Sequence, residues 1–250
     1  MDKLTPTTYS LPGNRQAIAL YADPHTPAEQ VAQLLDLSTP RGVLIVSAGA
    51  DLMSPEATEK LVPFFRSIGK LAAQYELVVL DGGTKSGGMD LLGSSLEQAN
   101  HRAPYIGVLP IHADTYRDDP DLRRPVDILE PNHTHFIFVD GEDWGDETKL
   151  LTGLFDFLAD RVPGVAILAN GGRIAQQDVR KIIDHGHDVI ILAGSERLAD
   201  QIADEIRKPD PATPEEIREL ARSDQFHVFD LNKSPKSLVT LLKRWYDKKE

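Results

Sequence analysis

The stretch Leu77-Val78-Val79-Leu80-Asp81-Gly82-Gly83-Thr84-Lys85-Ser86-Gly87-Gly88-Met89 changes character twice over a short span. It begins as an unbroken apolar run, the mark of a strand buried on both faces. It then becomes a turn in which Thr84, Lys85 and Ser86 stand between two pairs of glycines. Glycines let a backbone bend tightly and come close to a ligand. The helix that follows, expected over 88–101, would aim unpaired N–H groups and the positive end of its dipole at the same spot. Lys85 adds a full charge, and Thr84 and Ser86 add hydroxyl donors. The spacing is not that of a P-loop, whose terminal Lys-Ser/Thr pair is absent, nor that of G-x-G-x-x-G. A turn of this composition points to a phosphate; a tight turn with a purely structural role is the competing reading.

Working outward, the same strand-then-helix alternation recurs. Ala17-Ile18-Ala19-Leu20-Tyr21, Gly42-Val43-Leu44-Ile45-Val46, Tyr105-Ile106-Gly107-Val108-Leu109, Phe136-Ile137-Phe138-Val139, Val165-Ala166-Ile167-Leu168-Ala169 and Val189-Ile190-Ile191-Leu192 all read as strands. Helices fall between them. Thr26-Pro27-Ala28-Glu29 and Ser54-Pro55-Glu56 are helix starts, a capping residue followed by proline and an acid. Leu61, Phe64, Phe65, Ile68 and Leu71 then mark one buried helix face. Helices are also expected over 147–159, 174–185 and 196–207, with a strand over 226–229 and a last helix from Ser234-Pro235. Strands that are apolar throughout, alternating with helices, specify an α/β fold: a doubly wound, mostly parallel sheet with helices on both faces. Ligands of such sheets bind at the carboxyl ends of the strands, near the topological switch point. The division expected is a flexible arm over 1–14, a ligand-binding domain over 15–207, and a carboxy-terminal helical extension over 208–250 packed on the same domain. A polar, proline-containing insertion over 112–134 interrupts the pattern, and loops of that length are often functional.

Composition narrows the chemistry. The chain has 250 residues and no cysteine, which removes disulfides, thiolate metal sites and cysteine nucleophiles. Its formal net charge of −12 disfavours nucleic acid and anionic membranes. A small anion remains acceptable, because a few local backbone donors suffice to hold it. No apolar run is long enough to cross a bilayer. Met1-Asp2-Lys3 leads into no apolar segment, so no secretory signal and a cytoplasmic location are expected.

Three further strand ends resemble the first. Ser47-Ala48-Gly49-Ala50, Asn170-Gly171-Gly172-Arg173 and Gly194-Ser195-Glu196-Arg197 each follow an apolar run. In a parallel sheet all four turns share one edge, and that convergence is a stronger signal than any single turn. His133 and His135 alternate ahead of a strand, but no third ligand with metal-site spacing follows, so no metal is expected. Asp140, Glu142, Asp143, Asp146 and Glu147 form an acidic run whose spacing is not that of a calcium loop. A solvated loop before a helix is its plainer reading. Trp144 either stacks on a base or anchors the loop. There is no Gly-x-Ser-x-Gly nucleophile elbow.

The segment Leu129-Glu130-Pro131-Asn132-His133-Thr134-His135-Phe136-Ile137-Phe138-Val139-Asp140 resembles the L-x-P-N-H-[ST]-H-F-[IL]-[FL]-V-D signature of the LSDAT family of the SLOG superfamily. That family includes the amino-terminal cytosolic region of melastatin-type TRP channels. Asp81-Gly82-Gly83-Thr84, with Gly87-Gly88-Met89, is similar to the family's glycine loop. Val165 to Gly172 and Ile191 to Asp200 match two later segments in the same order, so the resemblance covers about residues 40–207. It implies a Rossmann-like domain that senses a nucleotide-derived ligand such as ADP-ribose or another NAD-derived molecule, with no obligatory cofactor. By that resemblance Gly82, Gly83, Thr84, Gly87, Gly88 and Met89 line the phosphate end, Gly171, Gly172, Gly194, Ser195 and Arg197 lie on the same rim, and Asn132 and His133 approach from the insertion. The reading of the turns themselves adds Lys85 and Ser86 to the ligand-binding residues, with Ser47, Gly49 and Asn170 at the neighbouring strand ends. Expected partners are the small-molecule nucleotide ligand, further copies of the chain, and an effector protein. Superfamily relatives that cleave nucleotide N-glycosidic bonds carry Pro-Gly-Gly-x-Gly-Thr-x-x-Glu, which this chain lacks. Binding therefore stands ahead of hydrolysis, for which Glu147 or Asp140 would be the acid/base groups, and no catalytic residue is assigned.

Overall fold

A computed structural model describes residues 4–37, 40–50, 53–111 and 129–247. The core of the chain is a nine-stranded sheet in the order β1-β2-β6-β5-β4-β3-β7-β8-β9. Its strands are β1 (Thr7–Leu11), β2 (Arg15–Ala22), β3 (Val43–Ala48), β4 (Val78–Asp81), β5 (Tyr105–Pro110), β6 (His135–Val139), β7 (Gly164–Ala169), β8 (Val189–Ala193) and β9 (Phe226–Asp230). All neighbours are parallel except β1 and β2. This is the doubly wound, mostly parallel α/β sheet that the apolar runs predicted, and β4, β5, β6 and β8 are buried along their whole length.

Helices cover both faces, as a two-sided apolar sheet requires. One core joins the sheet to α1 (Ala28–Leu34), α4 (Thr148–Ala159), α5 (Arg173–Asp184), α6 (Arg197–Arg207) and α7 (Glu215–Ala221). The other joins it to α2 (Pro55–Tyr75), α3 (Gly87–Gln98) and α8 (Pro235–Tyr246). The Ser54 and Ser234 hydroxyls accept from the Ala57 and Ser237 amides at the starts of α2 and α8, with proline next in each case. The strand expected at 226–229 is β9, so the segment after 208 contributes to the sheet as well as to the helical layers. Among the described residues no helix is long and apolar enough to cross a membrane.

One expectation needs correction. Residues 7–11 are not part of a loose arm but an antiparallel edge strand on β2. Thr7, Thr8 and Tyr9 favour extended backbone, and Leu11 buries itself in a small third core with Phe136 and Phe138. Residues 1–3 and the stretch 112–128, most of the predicted insertion, lie outside the described residues.

The order of connections places the site. From β3 the chain steps outward through β4, β5 and β6, then returns across β3 to continue through β7, β8 and β9. The switch point therefore lies between β3 and β7, and the crevice at their carboxyl ends is where a doubly wound sheet receives its ligand. The β4–α3 turn opens beside it, and α3 owes its position to close packing on α2. A Cβ added at Gly69 of α2 would stand 2.6 Å from the Ser95 carbonyl oxygen of α3. Gly69→Ala should therefore cost about 1–3 kcal/mol of stability, the usual penalty for overpacking. Chemical unfolding measures it, and an unchanged midpoint would show that the two helices separate without strain.

Candidate functional site

A cavity of about 480 Å³ occupies the switch point. Four elements line it. Val46, Ser47, Ala48 and Ala50 come from the end of β3, and Gly82, Thr84, Lys85, Ser86 and Met89 from the β4–α3 turn. Trp144, Glu147 and Leu151 come from the start of α4 and the loop before it, and Ile174, Ala175 and Asp178 from the first turns of α5.

Three helices, α3, α4 and α5, begin at this cavity. Neither Ser86, before α3, nor Gly172, before α5, makes a side-chain cap. Uncapped helix starts leave N–H donors and positive dipole ends for an anion. At α3 three of those donors are already committed: the Ser86 amide to the Thr84 carbonyl at 2.9 Å, the Met89 amide to the Ser86 carbonyl at 3.2 Å, and the Gly88 amide to the Gly49 carbonyl at 2.8 Å, which ties the β4–α3 turn to the β3 turn. Lys85 is exposed at the cavity edge and has no ion pair among the described residues. The Thr84 and Ser86 hydroxyls lie 3.0 Å apart on the same side.

The glycines of the turn divide their labour. Gly82 borders the cavity, and a Cβ there would meet nothing within 4 Å. Gly87, at φ +48°, packs so tightly on the Gly49 and Ala50 backbone that any side chain would collide with it. Gly83 and Gly88 press on Gly107 and Ala48 respectively. Gly82 thus faces the vacant space, while the other three hold the turn close to its neighbours.

The remaining predicted residues take other places. Gly49, Asn170, Gly171, Gly172, Gly194, Ser195 and Arg197 lie along the same carboxyl edge but do not line the cavity. The Asn170 side-chain amide donates to the Ser195 carbonyl, and the Asn170 backbone amide to the Ser195 hydroxyl, each at 2.7 Å, so these residues lock β7 to β8. The Arg197 guanidinium stands over Gly172 at the start of α5. Asn132 and His133 do not reach the cavity; they brace the turn from behind.

That brace is a buried charge network. His133 lies with its side chain fully buried between Asp81, at 2.9 Å, and Glu130, at 3.0 Å. Burial alone would push its imidazole down, but the two carboxylates outweigh burial and raise it to about 9. Tyr105 stacks on the His133 ring at 3.6 Å and donates its hydroxyl to Asp81 at 2.5 Å. Asp81 also accepts from the Gly83 amide at 2.7 Å, and the Glu130 amide donates to the Gly83 carbonyl at 3.0 Å. Both polar groups of Gly83 are thereby fixed. His135, the other half of the pair, is pushed down to about 4 by burial and serves the sheet.

Two buried carboxyls face the cavity from the helical side. Burial pushes Glu147 up to about 7, against the pull of the Gly145 and Glu147 amides and with added repulsion from Asp178. Burial likewise raises Asp178 to about 6, while hydroxyls of Thr148 and Ser47, at 2.8 and 3.1 Å, hold it back. Sequence reading weighed Glu147 but missed Asp178. The signal was there: Asp178 falls on the apolar stripe of α5, with Ala175, Val179 and Ile182, where an acid has no business unless it meets a partner or a ligand. In the acidic run before α4, the Asp146 carboxylate accepts from the Glu142 and Asp143 amides at 2.9 and 3.1 Å. Among the described residues, Asp156, Asp160 and His187 are the group whose ligand atoms, within 4.8 Å of one another, could hold a metal ion. They sit at the amino ends of β7 and β8, away from this cavity, and His187 is already paired with Asp156 at 2.8 Å.

The family model described as SLOG in TRPM, prokaryote, matches residues 41–240. The chain belongs to that family. It is also similar to transient receptor potential cation channel subfamily M member 2 from Mus musculus, 24% identical over 217 residues that cover 71% of this chain and 14% of the channel subunit. The same subunit from Rattus norvegicus is 23% identical over 202 residues, covering 67% of this chain and 13% of the subunit. The chain thus spans about a seventh of the length of these relatives. The family match takes in the β3 and β4 turns, the Leu129–Asp140 signature and α5, which together build the cavity and its brace.

The network and the carboxyls each set a measurable dependence. His133→Ala leaves Asp81 and Glu130 buried without their cation and should cost about 3–5 kcal/mol in chemical unfolding. A loss within error of a surface substitution would show that the imidazolium is dispensable. Glu147 holds its proton in the folded state up to about 7 but only to the ordinary carboxyl value of 4.5 when unfolded. The folded state therefore binds more protons in that window, and stability falls as pH rises through it, by roughly 3 kcal/mol at about 1.4 kcal/mol per unit. The unfolding free energy of the wild type should decline from pH 5 to pH 8, and Glu147→Gln should flatten the decline. Parallel profiles would mean that Glu147 titrates normally.

Proposed function

We propose that this protein binds a nucleotide-derived, phosphate-bearing ligand in the switch-point cavity and signals its presence. The observation that carries the reading is the convergence of two uncapped helix starts, α3 and α5, with the Gly82–Ser86 turn on one cavity. An anion there gains backbone donors, two dipole ends and the Lys85 charge, while the Asp81 carboxylate at the base of the turn is already paired with His133 and Tyr105. Trp144, 38% exposed at the cavity wall, offers a face for a base. The family and its similarity to a TRP-channel region support a nucleotide-related role and suggest ADP-ribose or another NAD-derived molecule. A homo-oligomer or an effector protein would receive the signal.

A second reading, N-glycosidic hydrolysis of the same ligand, is favoured by one observation: a cavity carboxyl, Glu147, raised to about 7, in the range of a general acid at neutral pH. Asp140, the other acid considered from the sequence, follows β6 outside the cavity lining.

Incubation with NAD, ADP-ribose, cyclic ADP-ribose and AMP, followed by thermal shift and chromatography, separates the readings. Stabilisation with the ligand recovered intact is expected, because binding to the native state alone raises stability. Release of free base or ribose phosphate would replace binding by hydrolysis. Gly82→Val fills the cavity mouth without backbone strain, and Lys85→Glu reverses the local charge. Each should weaken binding at least about tenfold, the equivalent of one lost charge-assisted contact, at an unaltered melting temperature. Retained affinity in both variants would remove the turn from the site.

A further inference from the structure

A phosphate at the β4–α3 turn leaves the other polar wall of the cavity unused. Glu147 and Asp178 come from α4 and α5, on the face of the sheet opposite α3. They are 4% and 5% exposed, and both border the cavity. Among the described residues Glu147 is held only by amides of its own turn, Gly145 at 2.7 Å and its own N–H, and no side chain of another element completes its carboxyl. Asp178 seats one hydroxyl on each oxygen, Thr148 on Oδ1 and Ser47 on Oδ2. Each oxygen retains a second lone pair. Between this wall and the turn lie Val46, Met89, Leu151, Ile174 and Ala175, an apolar strip.

We propose that Glu147 and Asp178 form a sugar-hydroxyl subsite, accepting hydrogen bonds from a ribose diol whose phosphate lies at the Gly82–Ser86 turn. The inference rests on the phosphate reading and deepens it: the cavity takes ribosyl phosphates and rejects bare phosphate chains. Two acceptors side by side match the two donors of a vicinal diol, and Asp178 already shows the hydroxyl geometry with Ser47 and Thr148. The apolar strip suits the face of a sugar ring. A second phosphate on this wall would meet carboxyls rather than amides, so a polyphosphate cannot fill the cavity. Burial raises both carboxyls towards neutrality, which lets them share one cavity with an anion.

Calorimetric titration of the full chain with AMP, 2′-deoxy-AMP, ribose 5-phosphate and inorganic phosphate tests the proposal, with Glu147→Gln and Asp178→Asn beside the wild type. AMP should bind the wild type about tenfold more tightly than 2′-deoxy-AMP, the weight of one hydrogen bond to a buried acceptor. Glu147→Gln should erase that preference while leaving inorganic phosphate within about twofold of its wild-type affinity, since the amide keeps the shape and changes the acceptors. Asp178→Asn should act in the same direction; should it unfold, Glu147→Gln alone decides. Equal affinity for AMP and 2′-deoxy-AMP, or a preference that survives Glu147→Gln, overturns the hydroxyl subsite while phosphate binding still stands. If inorganic phosphate and every ester fail to bind, the phosphate reading falls and this inference with it. Ribose 5-phosphate binding as tightly as AMP would place the selectivity in the sugar phosphate; a weaker value would add a contribution from the base.

Discussion

The site depends on the Asp81 carboxylate. It sits at the end of a fully buried strand, where the chain must leave the sheet and turn towards α3. An unpaired carboxylate at that depth would cost several kcal/mol. Three donors meet it instead: the His133 imidazolium, the Tyr105 hydroxyl and the Gly83 amide. They come from the segment before β6, from β5 and from the turn itself, so neutralising one charge also fixes three pieces of chain. The turn is stiff because its anchor would otherwise be intolerable. A rigid turn can aim backbone donors into the cavity without being reordered by each arriving ligand, which is the condition for a preformed anion site.

This arrangement explains how far the sequence could be read. The sheet was legible because β3, β4, β7 and β8 are buried on both faces, and burial of that kind leaves an unambiguous apolar run. The glycine turn was legible because close approach of backbones at Gly87 demands the smallest residue, whereas Gly82 borders open space. Two things were hidden. Thr7–Leu11 alternate weakly and flank prolines, and only pairing with β2 makes them a strand. His133 reads as a ligand group in sequence, since a polar residue in a distinctive motif suggests contact with something outside the chain. Its partner is internal, and the sequence cannot say that Asp81 and Glu130 lie on either side of it. Asp178 is the converse case, an acid on an apolar stripe that only the fold brings to the cavity wall.

The charge of the protein bears on the same site. A formal net charge of −12 would repel any anion from the surface at large. Backbone amides carry no net charge and are not titrated or screened away at close range, so an anion site built from helix starts and a glycine turn survives in an acidic protein where a patch of lysines would have to overcome its surroundings. One lysine at the mouth, Lys85, then suffices to bias approach. The burial of Glu147 and Asp178 would serve the proposed site in the same way, because a carboxyl that gives up its charge near neutrality does not oppose an anion held at the turn.

Binding and hydrolysis draw on the same two carboxyls and differ in what those groups must do. To hold a diol, Glu147 and Asp178 need only present acceptors at fixed positions, and the hydroxyls of Ser47 and Thr148 keep Asp178 in place for that. To cleave a glycosidic bond, one of them must deliver a proton to the leaving group while the anomeric carbon is open to water. Asp178 is poorly suited to that step, since both its oxygens are already engaged and its movement would leave the Ser47 and Thr148 hydroxyls without their acceptor. Glu147 is freer, but it stands alone in that respect, and a single mobile acid beside an anchored one is an arrangement for recognition first. Of the two proposed roles, binding therefore asks less of these side chains, and hydrolysis through Asp178 would require loosening the contacts that now fix it.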